Sequence, residues 1–421
     1  PALEIRLPRA EKIELQNGMT LFYLPDHELP LVSISALLRA GTMYDPPGKE
    51  GVAELTATVM VTGGTKKIKS VEMDQRLDQL AATPSLSMFL DHGSVHFSFF
   101  KQDIAESLDL FAQILKEPAF EQERFELGLS LKKADLLRIA DNPQRLAFRE
   151  FNRLLYPDDP RGRYATAASL HNISRKDLVE YHEKYFFPSN ILVTVSGDIT
   201  REETLRLIGH YLGSWKDARS AIPLLAPPQA SAKGVFVMKK ELPQSVVVTG
   251  ELTISKNHPD YYAFLVLDFI AGSGGFPSRI FTAVRNKEGL AYSAGSFYRA
   301  RGDYGVFGTY AFTKTSSTYD ALTLIQSILL DISTAGISNS ELDWAKKSIL
   351  NSFIFSFEHP SQIAEQQMIH AFDRLPGDYL LLYRDRINAV TVDDVKRVAK
   401  QYLQENKRLT VILGNADQFG K

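Results

Sequence analysis

The sequence predicts an α+β protein made of two tandem homologous domains. Three observations carry this reading. Strand-like and helix-like segments alternate along the chain. A set of residues recurs at one fixed offset in the two halves. A proline-rich stretch separates those halves. The 421 residues correspond to roughly two to three domains of about 150 residues each. Hydrophobic residues make up 44% and charged residues 23%, ordinary values for a globular chain that can bury a full core.

Leu31–Leu38 alternates in polarity and is rich in β formers, so it reads as a strand. Residues 51–61 and 124–139 have helical periodicity, and 191–196 is a short apolar strand. Residues 85–100 again carry β formers, broken by a turn at Asp91-His92-Gly93. Pro223, Pro227 and Pro228, among small polar residues, suit an extended linker. The division is therefore 1–220, a linker at 221–231, and 232–421.

The repeat supports that division. Asp177 and Asp394 stand 217 positions apart, and so do Pro143 and Pro360, Ala147 and Ala364, Tyr185 and Tyr402, and Gly197 and Gly414. Conservative pairs keep the same register: Asp141 with Glu358, Leu178 with Val395, Val195 with Ile412. The period is far longer than a solenoid repeat, so it implies a duplicated domain.

Composition excludes several function classes. Lys+Arg is 48 and Asp+Glu is 50, leaving no excess positive charge for general nucleic-acid binding. No cysteine is present, which removes disulfides, thiolate nucleophiles and Cys-ligated metals. The apolar run 261–271 is too short to span a bilayer and contains Asp268. Gly272-Ser-Gly-Gly-Phe-Pro-Ser-Arg279 lacks the third glycine of a dinucleotide fingerprint, and there is no P-loop or Gly-x-Ser-x-Gly elbow. His92 and His96 have the i,i+4 spacing of a zinc helix, but in a strand–turn–strand segment the spacing loses that meaning. The aromatic alternation Phe353, Phe355, Phe357 reads as packing at a helix end. The chain begins at Pro1, so a removed leader and a periplasmic or secreted location are expected, with a cytoplasmic one as the alternative.

Several segments together resemble one family. Gly41-Thr42-Met43-Tyr44-Asp45-Pro46-Pro47-Gly48-Lys49-Glu50-Gly51, followed by Gly63-Gly64-Thr65, is similar to the opening of pitrilysin- or insulinase-type zinc metallopeptidases. Gly197-Asp198 resembles the end of that family's first domain. Arg285-Asn286-Lys287-Glu288-Gly289-Leu290-Ala291-Tyr292-Ser293 resembles its second-domain signature, and Ile387 to Tyr402 its closing helix. The resemblance spans the chain in order and includes the duplication. It implies the short two-domain branch, near mitochondrial processing peptidase subunits. Each domain would then be a mainly antiparallel sheet flanked by helices, and the two together half of a clamshell.

Active members carry His-x-x-Glu-His on the helix after the first strands. Imidazoles at i and i+4 share a helix face and reach one Zn²⁺, and the intervening Glu acts as general base. Here the matching positions are Glu54, Ala57 and Thr58, and the distal ligand position falls near Asp135. The resemblance therefore implies no metal site and no cofactor in this chain, which would not be active alone.

Arg285 and Tyr292 match the Arg and Tyr that the family turns toward the substrate carbonyl. A guanidinium can hold a peptide backbone, and a phenol can donate to a developing oxyanion. A spacing of seven puts both on nearly the same side if a helix persists, and Gly289 is a candidate stop within it. The bland alternatives are an Arg285–Glu288 surface pair and a Tyr292 buried in the next strand. The expected function is the zinc-free subunit of a heterodimeric metallopeptidase. A homologous partner with intact His-x-x-Glu-His would hold the zinc, and unfolded peptides would be the substrates. The alternatives are a structural or assembly subunit, or a peptide-binding pseudoenzyme.

Overall fold

The computed structural model describes residues 8–419, except positions 83, 218, 221, 230 and 231. Parts of the expected linker at 221–231 thus lie outside the described residues. The strands, in chain order, are β1 Glu11–Glu14, β2 Thr20–Pro25, β3 Leu31–Leu38, β4 Ser85–Met88, β5 Gly93–Phe100, β6 Ile191–Gly197, β7 Gly234–Lys239, β8 Gln244–Thr253, β9 Ala291–Ala300, β10 Gly305–Lys314 and β11 Leu409–Gly414.

They form a six-stranded sheet ordered β1-β2-β6-β3-β5-β4 and a five-stranded sheet ordered β7-β11-β8-β10-β9. Set β1 aside and the two orders coincide strand for strand. In each sheet one pair is parallel, β2 with β6 and β7 with β11, and the remaining neighbours are antiparallel. The protein is α+β, with two mainly antiparallel sheets flanked by helices.

The repeat is now physical. Helices Pro143–Leu155 and Pro360–Phe372 stand 217 positions apart at both ends, as do Arg175–Tyr185 and Val392–Tyr402. Pro143 and Pro360 occupy the first helical position, where the missing N–H is harmless. Ala147 and Ala364 are fully buried where these helices meet a sheet. Asp177 and Asp394 accept the backbone N–H of Ser174 at 2.8 Å and of Thr391 at 3.0 Å, closing the same capping box twice. Gly197 and Gly414 end matching strands. A Cβ on Gly197 would sit 2.1 Å from the Leu31 carbonyl oxygen, and one on Gly414 would sit 2.3 Å from Ser245 Oγ.

The chain folds into two compact units, each discontinuous in sequence. The first is Pro1–Arg138, Arg163–Leu225 and Phe357–Phe372; the second is Ile139–Gly162, Ala226–Ser356 and Asp373–Lys421. They differ from the contiguous spans 1–220 and 232–421 because each unit takes one helix from the opposite half of the chain. In the first unit, helix Pro360–Phe372 lays Ile363, Ala364, Met368 and Phe372 on Phe22, Leu24 and Leu37. The other face of that sheet, with Ile34, Ala36 and Leu38, packs under helices such as Val52–Thr62 and Ile104–Lys116. In the second unit, Phe151 of helix Pro143–Leu155 packs with Val246, Val248, Val411 and Leu413, while Val247 and Ile412 face the opposite core. Strands β8 and β11 are therefore apolar on both faces, which erases their alternation.

A polar anchor holds the first exchanged helix. Ser35 Oγ donates to Glu365 Oε1 at 2.6 Å, and His96 Nδ1 lies 2.8 Å from Ser35 Oγ and 3.2 Å from the same carboxylate oxygen. Burial pushes the Glu365 carboxyl up, but the bonds from His96 and Ser35 outweigh it and hold it below its ordinary value. His96 is thus a strand residue facing a helix, and His92 lies in the β4–β5 connection, 2.8 Å from Asp91. At the end of helix Asn339–Phe355, Phe353 stacks on Tyr383 at 4.3 Å, while Phe355 is exposed. No single helix among the described residues is long and apolar enough to cross a membrane.

Candidate functional site

Helix Val52–Thr62 is positioned with care. Asp45 Oδ2 accepts the Gly51 N–H at 2.7 Å and Oδ1 accepts the Ala53 N–H at 2.8 Å, capping its N-terminus. Burial pushes the Asp45 carboxyl up to about 7, against the pull of those two bonds. Gly41 has φ 124°, and a Cβ there would lie 2.6 Å from the Phe89 carbonyl oxygen. The Tyr181 hydroxyl accepts the Gly41 N–H at 2.8 Å. Lys49 pairs with Asp177, tying the loop to helix Arg175–Tyr185. The motif from Gly41 to Gly51 is therefore a scaffold for this helix.

The chemistry a metal needs is missing from the helix itself. Glu54 Oε2 lies 2.6 Å from Lys132 Nζ, so its charge is already matched by a cation. Ala57 is 3% exposed and offers only a methyl. Thr58 Oγ1 donates to the Glu54 carbonyl at 3.0 Å within its own helix. Asp135 lies on helix Gln122–Asp141, half-buried, and is engaged in interactions of its own. One paired carboxylate, a methyl and a hydroxyl do not fit zinc, which asks for neutral imidazole, thiolate or free carboxylate donors. Among the described residues no three His, Asp or Glu side chains are arranged to hold a metal.

The second unit holds Arg285 and Tyr292 together by a route the spacing did not foresee. Phe281–Lys287 is a π-helical segment, closed by Glu288 N–H donating to the Ala283 carbonyl at 3.0 Å. Such segments are uncommon and concentrate at functional sites. Gly289 then takes φ 61° and ends the helix. Tyr292 stands on β9, where the ladder to β10 slips: Ser293 pairs with Phe312 and Ala291 with Thr313, leaving Tyr292 as the extra residue of a bulge. A bulge re-aims the side chain it carries. Tyr292 is 77% exposed, so it is not a core residue of the strand. No ion pair joins Arg285 to Glu288 among the described residues.

The Arg285 guanidinium instead lies among aromatic rings, with its central carbon 4.9 Å from the centroid of Phe281, 5.5 Å from Tyr292 and 5.9 Å from Phe276. Cation–π contacts of this kind hold an arginine in place while leaving its N–H edge for a ligand. Phe276, in the glycine-rich turn after Phe269–Ser273, is 70% exposed and packs on Phe281 at 4.8 Å. Arg279 pins that turn: its guanidinium reaches both oxygens of Glu341 at 2.6 and 2.9 Å, Asp331 at 2.7 Å and the Gly336 carbonyl at 3.0 Å. Sequence reasoning missed Phe276 and Phe281. For Phe276 the signal was an apolar ring between Gly275 and Pro277, and Phe281 carried none.

Residues 24–164 match the family described as Insulinase (Peptidase family M16), and residues 172–349 match the Peptidase M16 inactive domain. The chain is 24% identical to the "Non-peptidase homolog YmxG" of Helicobacter pylori, covering 95% of this chain and 93% of that protein. It is 21% identical to the "Mitochondrial-processing peptidase subunit beta" of Mus musculus, covering 100% of this chain and 87% of that one. A solved structure described as the peptidase M16 inactive domain of Pseudomonas fluorescens superposes with TM-score 0.90 at 22% identity, covering 97% of this chain and 98% of the other.

Proposed function

Because the chain belongs to the M16 (insulinase) peptidase family, we propose that it is the zinc-free subunit of a heterodimeric metallopeptidase. A homologous partner with an intact His-x-x-Glu-His helix would hold the zinc and the general base. This chain would contribute Arg285 and Tyr292. The observation that carries the reading is the contrast between the two units. The helix that aligns with the zinc helix keeps its scaffold but offers only a Lys132-paired carboxylate, a methyl and an internally bonded hydroxyl. The Arg285–Tyr292 pair is kept, with the Tyr292 ring exposed and the guanidinium flanked by exposed Phe276 and half-buried Phe281.

The pair suits a peptide in extended form. The guanidinium fork can donate to a backbone carbonyl, and the Tyr292 hydroxyl can donate to an oxygen as it gains charge. The exposed rings of Phe276 and Tyr292 offer apolar contact to side chains without demanding one sequence. Strand β4 ends its sheet, and an edge strand is where a peptide can add by main-chain hydrogen bonds, as the family resemblance implies. Unfolded peptides are the substrates this chemistry accommodates.

A second reading rests on the relative described as a non-peptidase homolog. In it the chain is a structural or peptide-binding subunit, and Arg285 and Tyr292 are unused. One experiment separates the two. The natively isolated complex is fractionated by size, and each fraction is assayed for metal and for peptide hydrolysis. A second chain of similar mass, about one zinc per pair and activity only in the pair support the proposal. Stoichiometric zinc and hydrolysis by this chain alone overturn it. Unchanged activity of the pair carrying Arg285→Ala and Tyr292→Phe favours the second reading.

A further inference from the structure

The first unit contains a cavity of about 540 Å³ that none of the preceding argument uses. Its size falls in the range of small-molecule sites. None of its lining residues belongs to helix Val52–Thr62 or to the Arg285 cluster. Four cations line it, Lys66, Lys116, Arg175 and Arg219, against two carboxylates, Glu117 and Glu183.

The cations are not spent on those carboxylates. Lys66 has no carboxylate partner among the described residues, and the Lys116 ammonium reaches only the Tyr211 carbonyl at 3.1 Å. Arg175 binds backbone, donating to the Phe120 and Ala119 carbonyls at 2.5 and 2.9 Å, which leaves further N–H donors on its guanidinium. Arg219 is engaged by Asp217 at 2.6 Å and lies 4.2 Å above Phe187. Glu117 lies 3.8 Å from Lys67, which stands outside the cavity.

The wall itself carries the mark of this field. His182 is buried with Nε2 on the Leu115 carbonyl at 2.8 Å. Burial first, and the nearby Lys66 charge after it, push its imidazole down to about 4, so it stays neutral. Phe120 adopts φ 49°, an uncommon conformation for a bulky residue, and its carbonyl is clamped by Arg175. Trp215 adds a half-exposed aromatic side to the cavity.

We propose that this cavity is a binding site for a small phosphate-bearing ligand, held by Lys66, Lys116 and Arg175. Phosphate suits the donor set because it carries several acceptor oxygens and more than one charge, which spaced ammonium and guanidinium groups can share. The charge arrives free in two possible forms, an inorganic polyphosphate or a nucleotide whose base would rest on Trp215.

Trp215 reports on its own cavity, since the chain has only 2 tryptophans and Trp344→Phe silences the other. The test titrates the full chain carrying that change with inorganic tripolyphosphate, ATP and adenosine at low ionic strength. Saturable one-to-one binding of tripolyphosphate, with a change in Trp215 emission, is expected. Lys66→Met should weaken it about tenfold, and Lys66→Met with Lys116→Met further, each lost charge-assisted contact being worth about one decade. Lys176→Met, next to Arg175 on helix Arg175–Tyr185 but outside the cavity, should leave affinity unchanged. Either order of ATP and tripolyphosphate supports the site and tells the two sources apart. Adenosine binding as tightly as ATP, an equal loss in Lys176→Met, or no saturation by about 1 mM overturns the proposal.

Discussion

The central carbon of the Arg285 guanidinium lies 5.5 Å from the ring of Tyr292, although one residue belongs to a π-helical segment and the other to a strand bulge. Two local irregularities are needed to bring them together, the extra turn residue and the extra strand residue. Each is a departure from regular hydrogen bonding that a purely structural element would not require. If the pair acts on substrate, Arg285→Ala should lower kcat/KM of the assembled peptidase by about two orders of magnitude, and Tyr292→Phe should act mainly on kcat. Steady-state kinetics on the two-chain complex decide it. A rise in KM alone would leave the pair in binding only, and no change would remove both residues from the chemistry.

The helix that aligns with the zinc helix should be correctable in part. Glu54→His with Thr58→His places imidazoles one turn apart, and this double variant should compete with a chromogenic chelator for zinc where the natural chain does not. Adding Ala57→Glu should lower stability by about 1–3 kcal/mol, because residue 57 is 3% exposed and a carboxylate there meets no partner. Uptake of one zinc by the unaltered chain would contradict this account.

The glycine-rich turn beside Arg285 should loosen in acid. The Arg279 guanidinium holds the Glu341 carboxyl down to about 2, against its usual 4.5. A depressed carboxyl contributes stability that is full above its unfolded value and is lost as pH falls through the folded one. This pair should therefore contribute about 1–3 kcal/mol above about pH 4.5 and nothing near pH 2. Melting curves of the natural chain and Glu341→Gln should differ at neutral pH and converge in that acid window. Parallel curves across the range would assign the stability elsewhere.

The exchanged helices make the contiguous halves poor folding units. A fragment ending at Leu225 would lack Pro360–Phe372, exposing Phe22, Leu24 and Leu37. It should be insoluble or molten, while the full chain is not. In the full chain, Phe151→Ala should cost about 3–5 kcal/mol. Because Phe151 packs with Val248 and Val411, hydrogen exchange should rise in β8 and β11 and stay unchanged in β3. A soluble, cooperatively folded fragment would refute the exchange as a stabilising device.

Much of this was legible in the chain. Leu31–Leu38 alternated and is a strand with those bounds. The offset between Asp177 and Asp394 encoded a capping box used twice, because capping depends on a residue and its neighbours three positions away. Losing His-x-x-Glu-His was equally local, since i and i+4 ligands are fixed by helix geometry alone. Other features were decided only by the tertiary structure. That Pro143–Leu155 packs on the second sheet depends on contacts far apart in sequence, which local pattern does not carry. That Tyr292 is an outward bulge residue depends on a ladder slip relative to β10, and that Glu54 is matched depends on Lys132 from another helix. The sequence by itself determined which residues could do chemistry and which could not. The structure decided where those residues point, because burial, register and charge pairing exist only once distant segments meet.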